Sequence, residues 1–579
     1  MTNPVGSVLR QVGLYKPFHR GIQYLTDPVF RQREIELRQD LERTRRQVGG
    51  WAAQGAEYAD PKRLFAIVSF TNLPMHAKFH CLAAKAMQLR GYTPVIFTHS
   101  GSRFAHEYFR MFGINRLVMW NQLAEQYSEL AAEAQRIVQT FALTQPSVTQ
   151  VKNIEFRGVC VGKHALSMTC RKRVEGRLDL TNPATFALLQ EQLTLAVQSA
   201  LLAERFLDEN PVEKMLVRDS GYTPNGAIFE TALHRGTDCV VFEFGQRRSA
   251  WVFKRFTPET KGQHYFSLSA STWDVVKNRP WTKREDEKLE REFAGRYQPD
   301  STDDTRRLQA GKVVKSPAEV RKQLELDPNK KTAVIFSHIA WDAAFFYGEG
   351  LFEDFEDWLF QTVQFVAREC SHLNWIIKEH PFNVFKLQRE SVKETSERRL
   401  LQPLMPLPKH VRFMPADTDI NTQSLFPLVD YVLTVNGTVG MEFPCFGIPA
   451  IVAGTGRYTG YGFTIEPPSQ AAYFETLRNL QTIPRLNAAQ RELARRHLYA
   501  LQLGKQISFQ DSAPMELKRL HEAQSDVHDN IHFAARSLQE FQASRSVKLL
   551  GDWLAYRSEP DLYMPDENED QDLPFRSQQ

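Results

Sequence analysis

The sequence predicts an α/β protein built from two doubly wound parallel-sheet domains facing across a cleft, with helical extensions at both ends. Three observations carry this. The chain has 579 residues, more than one hydrophobic core usually serves. Apolar runs of strand length alternate with helical patterns in two separate series, one opening at LFAIVSF (Leu64–Phe70) and one at TAVIFSH (Thr332–His338). The runs are also continuous rather than alternating, as strands buried on both faces of a parallel sheet require.

From Asp27 to about Gln47, charged residues surround Leu37 and Leu41 at helical separations, which predicts an outer helix. GGWAAQGAEYADPKR breaks that pattern with glycine and proline before the first buried strand. A polar loop at Thr71–Pro74, a helix over His76–Arg90 closed by Gly91, and a strand at Thr93–Thr98 make a first βαβ unit. A helix in HSGSRFAHEYFRMFG and a short strand in NRLVMW continue the alternation. Residues 121–210 read as helical except for IEFRGVCVGKHALSMTCRKR, which reads as extended and marked by glycine. A strand ending at Arg218, a helix from about Asn225 to His234, and the strand DCVVFEF complete the series. Lys254–Asp327 is charged and poor in apolar runs, and is predicted to be an irregular helical linker.

The second series continues from TAVIFSH with a helix in FEDFEDWLFQTVQFVAREC and strands in NWIIKEHP, HVRFMP and YVLTV. Beyond about Leu480 the pattern turns helical, through NAAQRELARRHLYALQLG and ELKRLHEAQSDVHDNIHFAARSLQEF. The acidic end from PDENEDQD onward predicts disorder. The boundaries that follow are a helical N-terminal extension at 1–60, a first Rossmann-like domain with its linker at 61–325, a second at 326–480, a helical extension at 481–560, and an acidic tail at 561–579.

Composition excludes several classes. With 42% hydrophobic and 24% charged residues the chain reads as globular, neither disordered nor membrane-spanning. A formal net charge of +4 on 72 basic and 68 acidic side chains argues against a broad grip on nucleic acid. The basic clusters Arg171–Arg173 and Gln246–Arg248 read as solvated faces or as holds for an anionic substrate. Cysteines 81, 160, 170, 239, 370 and 445 form no CxxC pair, which fits reduced thiols. No run approaches the roughly 20 apolar residues of a membrane span, and the N-terminus lacks a secretory core. A cytoplasmic location follows, with peripheral attachment to the inner membrane surface open through partners or the Lys16, His19 and Arg20 region.

Ligands of open α/β sheets sit beyond the carboxyl ends of the strands. That rule selects Thr71–His76, His99–Arg103 and Asp219–Asn225 in the first series, and His338–Asp342, Lys378–His380 and Asn436–Glu442 in the second. The most specific is VNGTVGMEFPCFGIPAIVAG (Val435–Gly454), where a strand runs into Asn436, Gly437, Thr438 and Gly440 and then a short helix with Glu442. Glycines let backbone approach a ligand, free amides and the Thr438 hydroxyl suit a phosphate, and Glu442 suits ribose hydroxyls. In NWIIKEHPFN the strand end delivers Lys378 and His380, both able to contact phosphate. The plain alternatives are a tight strand-to-helix turn for the first motif and a backbone-bonding imidazole for the second. The turn carries no G-x-G-x-x-G fingerprint, and the chain has no G-x-x-x-x-G-K-[ST] loop, which places nicotinamide and ATP chemistry low. After the last strand, Arg457, Tyr458, Tyr461 and Gly462 form a loop whose aromatics suit stacking on a base or sugar, or simple packing.

IIKEHP, VNGTVGMEFPCFGIPAIVAG and YTGYGFTIEPPS, supported by FSHIAWDAAFF (Phe336–Phe346), together resemble bacterial capsule polysaccharide biosynthesis proteins, glycosyltransferases of the GT-B fold related to Kdo-type capsule transferases. The resemblance covers about Thr332–Tyr473 and is architectural only over Leu64–Phe244. It implies a nucleotide-sugar donor, CMP-, UDP- or GDP-linked, held mainly by the second domain with Lys378, His380, Thr438 and Glu442 around phosphate and ribose, to which the residue reading adds Asn436, Gly437, Gly440 and Tyr458. A glycan or glycolipid acceptor would face the first domain. Where relatives are expected to carry Ser or Thr plus Ser at the helix start, this chain has Asn436, Gly437 and Thr438.

Leaving phosphate can be stabilised by helix amides, Lys378 and His380, so neither a metal nor another cofactor is expected. An inverting transfer needs a general base, for which His76, Asp219 and Asp342 are the loop candidates and Asp219, at a strand end, is favoured; a retaining transfer needs none. Two other readings fit the same pattern. One is a nucleotide-sugar 2-epimerase or polyol-phosphate transferase on this fold, the other a non-catalytic scaffold of polysaccharide assembly.

Overall fold

The computed structural model describes residues 22–299, 308–342, 344–384, 394–517 and 529–564. The Lys16, His19 and Arg20 region and the acidic tail from residue 565 onward lie outside them. The chain forms two compact units, one of residues 1–123, 211–213 and 508–557, the other of residues 124–210, 214–507 and 558–579.

In the first unit, helix α1 (Pro28–Val48) starts because the Asp27 carboxylate accepts the backbone N–H groups of Val29 and Phe30 while Pro28 occupies its first turn. Strand β1 (Asp60–Val68), helix α2 (Pro74–Gln88), strand β2 (Tyr92–Thr98), helix α3 (Arg103–Met111) and strand β3 (Leu117–Met119) follow. The three strands pair in parallel, in the order β1-β2-β3. Late in the chain Met515–Leu517 pairs antiparallel with Asp529–Ile531, where the residue pattern predicts helix. The buried Lys78 explains this local choice: its ammonium donates to Asp40, to Asn530 and to the carbonyl of Ile531, pinning an extended segment against α1 and α2.

Early in the second unit, after helices at Ser128–Thr140 and Val148–Lys152, come helices α4 (Val161–Arg173) and α5 (Pro183–Glu209). The extended reading of residues 154–173 is therefore corrected: only Phe156 and Val159 form a bridge, and helix starts at Val161. Gly162 is what allows it, since a Cβ there would stand 1.8 Å from the carbonyl oxygen of Val151. Strand β4 (Val212–Val217), helix α6 (Asn225–His234) and strand β5 (Asp238–Phe244) fall where predicted, with Lys214–Val217 parallel to Asp238–Val241. Strand β6 (Ala250–Phe256) pairs antiparallel with β5 and helix α7 (Lys283–Tyr297) follows, so the predicted linker is in part ordered structure.

The second series gives β7 (Thr332–Phe336), α8 (Phe355–Glu369), β8 (Asn374–Lys378), β9 (Val411–Met414), β10 (Tyr431–Thr434), the short α9 (Val439–Glu442), β11 (Ala450–Val452) and α10 (Ala488–Tyr499). All its strand pairings are parallel, in the order β11-β10-β7-β8-β9. Ala333, Ile335, Trp375, Ile377 and Leu433 pack into one core while Val334, Phe336, Ile376 and Val432 pack into another, so both faces are covered. That is why these strands read as unbroken apolar runs. The predicted class, α/β with doubly wound parallel strands, is the one the chain adopts.

Candidate functional site

In the five-stranded sheet the chain moves outward from β7 through β8 to β9, then returns to place β10 on the other side of β7. Loops leaving the carboxyl ends of β7 and β10 thus part company there, the position where doubly wound sheets bind ligands. A cavity of about 90 Å³ lies at this point. Ser337 and His338 reach it from β7, Lys378, Glu379 and His380 from β8, and Gly437, Thr438 and Glu442 from β10. Arg296 and Tyr297, the end of α7, close another wall.

The turn after β10 is built by close packing. Thr434 Oγ1 accepts the Gly437 N–H at 3.1 Å, and a Cβ on Gly437 would stand 2.7 Å from that oxygen. A Cβ on Gly440 would stand 2.4 Å from the ring end of Tyr458, which is 0% exposed. The backbone N–H groups of Gly440, Met441 and Glu442 are already bonded to the carbonyls of Gly437 and Thr438. Those three amides are therefore not available to a ligand at this turn.

Glu442 is 2% exposed, and its two oxygens accept from Arg296 and from the Tyr297 hydroxyl. His338 Nε2 accepts the Val435 N–H at 3.1 Å, which fixes the ring as the neutral Nδ1–H tautomer; burial, and then Arg457, hold its pKa at about 3. His380 Nδ1 accepts the Phe382 N–H at 3.2 Å, which makes Nε2 the protonated nitrogen of a neutral ring. Glu379 turns away, accepting from Thr395 and from the Ala416 N–H at 2.8 Å.

Lys378 is 3% exposed, its ammonium 5.8 Å from the Phe336 ring centre, with no hydrogen-bond or ion-pair partner among the described residues. Burial, and then the nearby Lys312, pull its pKa down to about 7. Glu379 offsets this only in part and makes no ion pair with it, so the buried ammonium is costly and an anion in the cavity would offset that cost.

Five of the eight residues expected at the nucleotide therefore meet in one cavity: Lys378, His380, Gly437, Thr438 and Glu442. Gly440 lies beneath, against Tyr458, whose full burial leaves it packing the turn rather than stacking on a ligand. Asn436 lines a smaller cavity of about 30 Å³ with Asp354, Trp358 and Thr455. Of the three base candidates, His76 is buried on α2 of the first unit. Asp219 and Asp342 share a neighbourhood in the second: Tyr222 donates to Asp342 at 2.7 Å, and the Arg171 guanidinium lies 4.6 Å over the Tyr222 ring. Desolvation lowers the Arg171 pKa, but Tyr222, Asp219 and Asp342 raise it further, for a net rise. Asp219 holds φ +55°, and its N–H donates to Glu243 at 3.3 Å. Among the described residues no group of three or more His, Cys, Asp or Glu is placed to hold a metal ion. No described helix is long and apolar enough to cross a membrane.

Residues 294–500 match the capsule polysaccharide biosynthesis protein family. The capsule-family match begins inside α7, takes in Arg296 and Tyr297, spans β7 to β11 and ends after α10. It therefore contains every wall of the cavity named above. No curated protein matches the chain. Among solved structures, the chain is similar to the Thermosulfurimonas dismutans KpsC beta Kdo 2,4 transferase (13% identity, 59% of this chain and 87% of that chain, TM-score 0.31). It is likewise similar to the beta Kdo 2,7 transferase of the same organism (14%, 57% and 86%, TM-score 0.30). A UDP-GlcNAc 2-epimerase from Neisseria meningitidis also overlaps (12%, 76% and 96%, TM-score 0.23).

Arg296 and Tyr297 escaped the sequence reading because Lys254–Asp327 lacks apolar runs. A signal was nonetheless present. Thr282 and Glu285 form a capping box, and Leu289, Phe293 and Tyr297 recur at four-residue spacing on one face, all buried.

Proposed function

We propose that the chain is a glycosyltransferase of capsule polysaccharide biosynthesis, transferring sugar from a nucleotide-sugar donor to a glycan or glycolipid acceptor. The observation that carries this is the unpartnered Lys378 ammonium facing a cavity shared with His380, Thr438 and Glu442 at the switch point of a doubly wound sheet. In this reading Lys378, His380 Nε2–H and the Thr438 hydroxyl take the donor phosphate, and Glu442 takes ribose hydroxyls through its remaining lone pairs.

As the anomeric carbon–oxygen bond breaks, negative charge grows on the leaving phosphate, and the Lys378 ammonium with the two neutral donors, His380 and Thr438, stabilises it without a metal. Asp219 is assigned as the base that accepts the proton of the acceptor hydroxyl as that oxygen bonds to the anomeric carbon. Its left-handed backbone is one that Asp and Asn tolerate, so Asp219→Asn should fold normally and lose transfer by about 10²–10⁴-fold. The protein would work on the cytoplasmic side, where acceptor and export partners on the inner membrane are within reach.

The test is a thermal-shift screen against CMP-, UDP- and GDP-sugars followed by product analysis. A rise in Tm with one nucleotide series, and release of that nucleotide with a new glycosidic bond, is the expected result. An epimerised nucleotide sugar or a phosphodiester product would replace the transferase reading with an epimerase or polyol-phosphate transferase. No nucleotide response at all would leave an assembly scaffold as the better account.

A further inference from the structure

The transferase reading gives Arg296 no task, yet Arg296 is the best-anchored cation in the cavity wall. Its side chain is 8% exposed. Nη2 donates to Thr438 Oγ1 at 3.0 Å and to Glu442 Oε1, and Nη1 donates to Gln246 Oε1 at 2.7 Å. Gln246 is braced in turn, its oxygen accepting from Gln502 at 2.9 Å and its N–H donating to Gln506 at 2.6 Å. The guanidinium is thus held from the β5–β6 loop and, through Gln246, from the segment that follows α10, outside the sheet whose turn it touches.

A guanidinium can only donate. Toward Arg296, therefore, Thr438 Oγ1 can only accept, and its single hydrogen must point elsewhere. Among the described residues Thr438 donates to no group, while its side chain lines the cavity with Lys378 and His380. At Glu442, Arg296 and Tyr297 each hold one oxygen, which fixes the plane of the carboxylate.

We propose that Arg296 is the positioning residue of this site: it makes the Thr438 hydroxyl a committed donor to a ligand's phosphate and sets the plane of Glu442. The proposal rests on the nucleotide reading above. It does not require Arg296 to touch the ligand.

Calorimetric titration of CMP, UDP and GDP, with the matching nucleosides as phosphate-free partners, tests it. For the nucleotide that the wild type binds, Thr438→Val and Arg296→Gln should each weaken binding about tenfold, the scale of one hydrogen bond to a charged group. The double variant should lose no more than the weaker single variant, because both changes remove the same bond. Thr438→Ser should keep wild-type affinity, and Thr438→Val should leave nucleoside binding unchanged. Losses that add in the double variant, or a Thr438→Val protein that binds nucleotide like the wild type, would overturn the assignment of Arg296. If Arg296→Gln fails to fold, Arg296→Lys, which keeps the charge and loses the fork that reaches both Thr438 and Glu442, takes its place, and the Ser against Val comparison at Thr438 can still overturn the proposal. Wild-type protein that binds none of the three nucleotides sinks the nucleotide reading itself, an outcome distinct from failure of the Arg296 assignment.

Discussion

Lys378 is the residue whose chemistry depends most on what fills the cavity. Its pKa stands at about 7 against an ordinary value of 10.5, lowered by burial and then by Lys312. A phosphate binds the protonated form, so binding near neutrality draws in a proton, and affinity should fall about tenfold per pH unit above about 7. Titrations of nucleotide from about pH 6 to 9 check this, and Lys378→Met should flatten the profile. The stability sign is separate. Because the folded pKa lies below the unfolded one, the unfolded state binds more protons between about 7 and 10.5, and stability rises with pH across that window. Removing the ammonium removes its desolvation cost, so Lys378→Met should raise Tm at pH 7 while abolishing nucleotide binding, the trade expected of a group kept for function. Glu442 behaves oppositely: truncating it to alanine would strand the buried Arg296 guanidinium at about 3–5 kcal/mol, so a silent Glu442→Ala protein must first be shown to be folded.

The turn from β10 into α9 shows how much a sequence can reveal about an element. Gly437, Thr438, Gly440 and Glu442 were legible there because a buried strand, two glycines and a carboxylate stand in one short run. What the run could not show is the reason for Gly440, which is the Tyr458 ring arriving from eighteen residues later, 2.4 Å from where a Cβ would sit. Gly440→Ala should therefore cost about 1–3 kcal/mol of overpacking, read as a fall in Tm and a loss of nucleotide response together. The apolar strands β7, β8 and β10 were legible for the same reason that β6 was not. After Thr332 every side chain of β7 is apolar and buried, whereas β6 carries Lys254 and Arg255, and among the described residues the ion-pair partner of the buried Lys254 is Asp561, more than three hundred residues away. Helix α4 was misread for a similar cause, its start depending on a backbone contact between Gly162 and Val151 that no periodicity records. Local pattern thus located the loops that line the cavity, and partners distant in sequence set the rest.

At the scale of the molecule, the last described residues are structural parts of the second unit. Asp561 is 4% exposed and accepts from Lys505 at 2.5 Å and from Lys254 at 3.2 Å. Burial alone would raise its pKa, but Lys505 and then Lys254 outweigh it and hold the carboxylate well below its usual range. That stability is present above the ordinary carboxylate pKa and is lost as pH falls through the depressed value. Asp561→Asn should cost about 3–5 kcal/mol at pH 7, seen as a drop in Tm, because two buried ammonium groups lose their counter-charge. The helix α7 has a comparable reach in the other direction. It precedes the five-stranded sheet in the chain, yet it supplies the guanidinium that neutralises Glu442 and orients Thr438. Recombining this chain with another of similar sequence over residues 294–500 would naturally exchange the sheet from β7 onward as a module. A chimaera joined there would inherit the glutamate and leave its arginine behind, so the transplantable piece has to begin no later than Lys283.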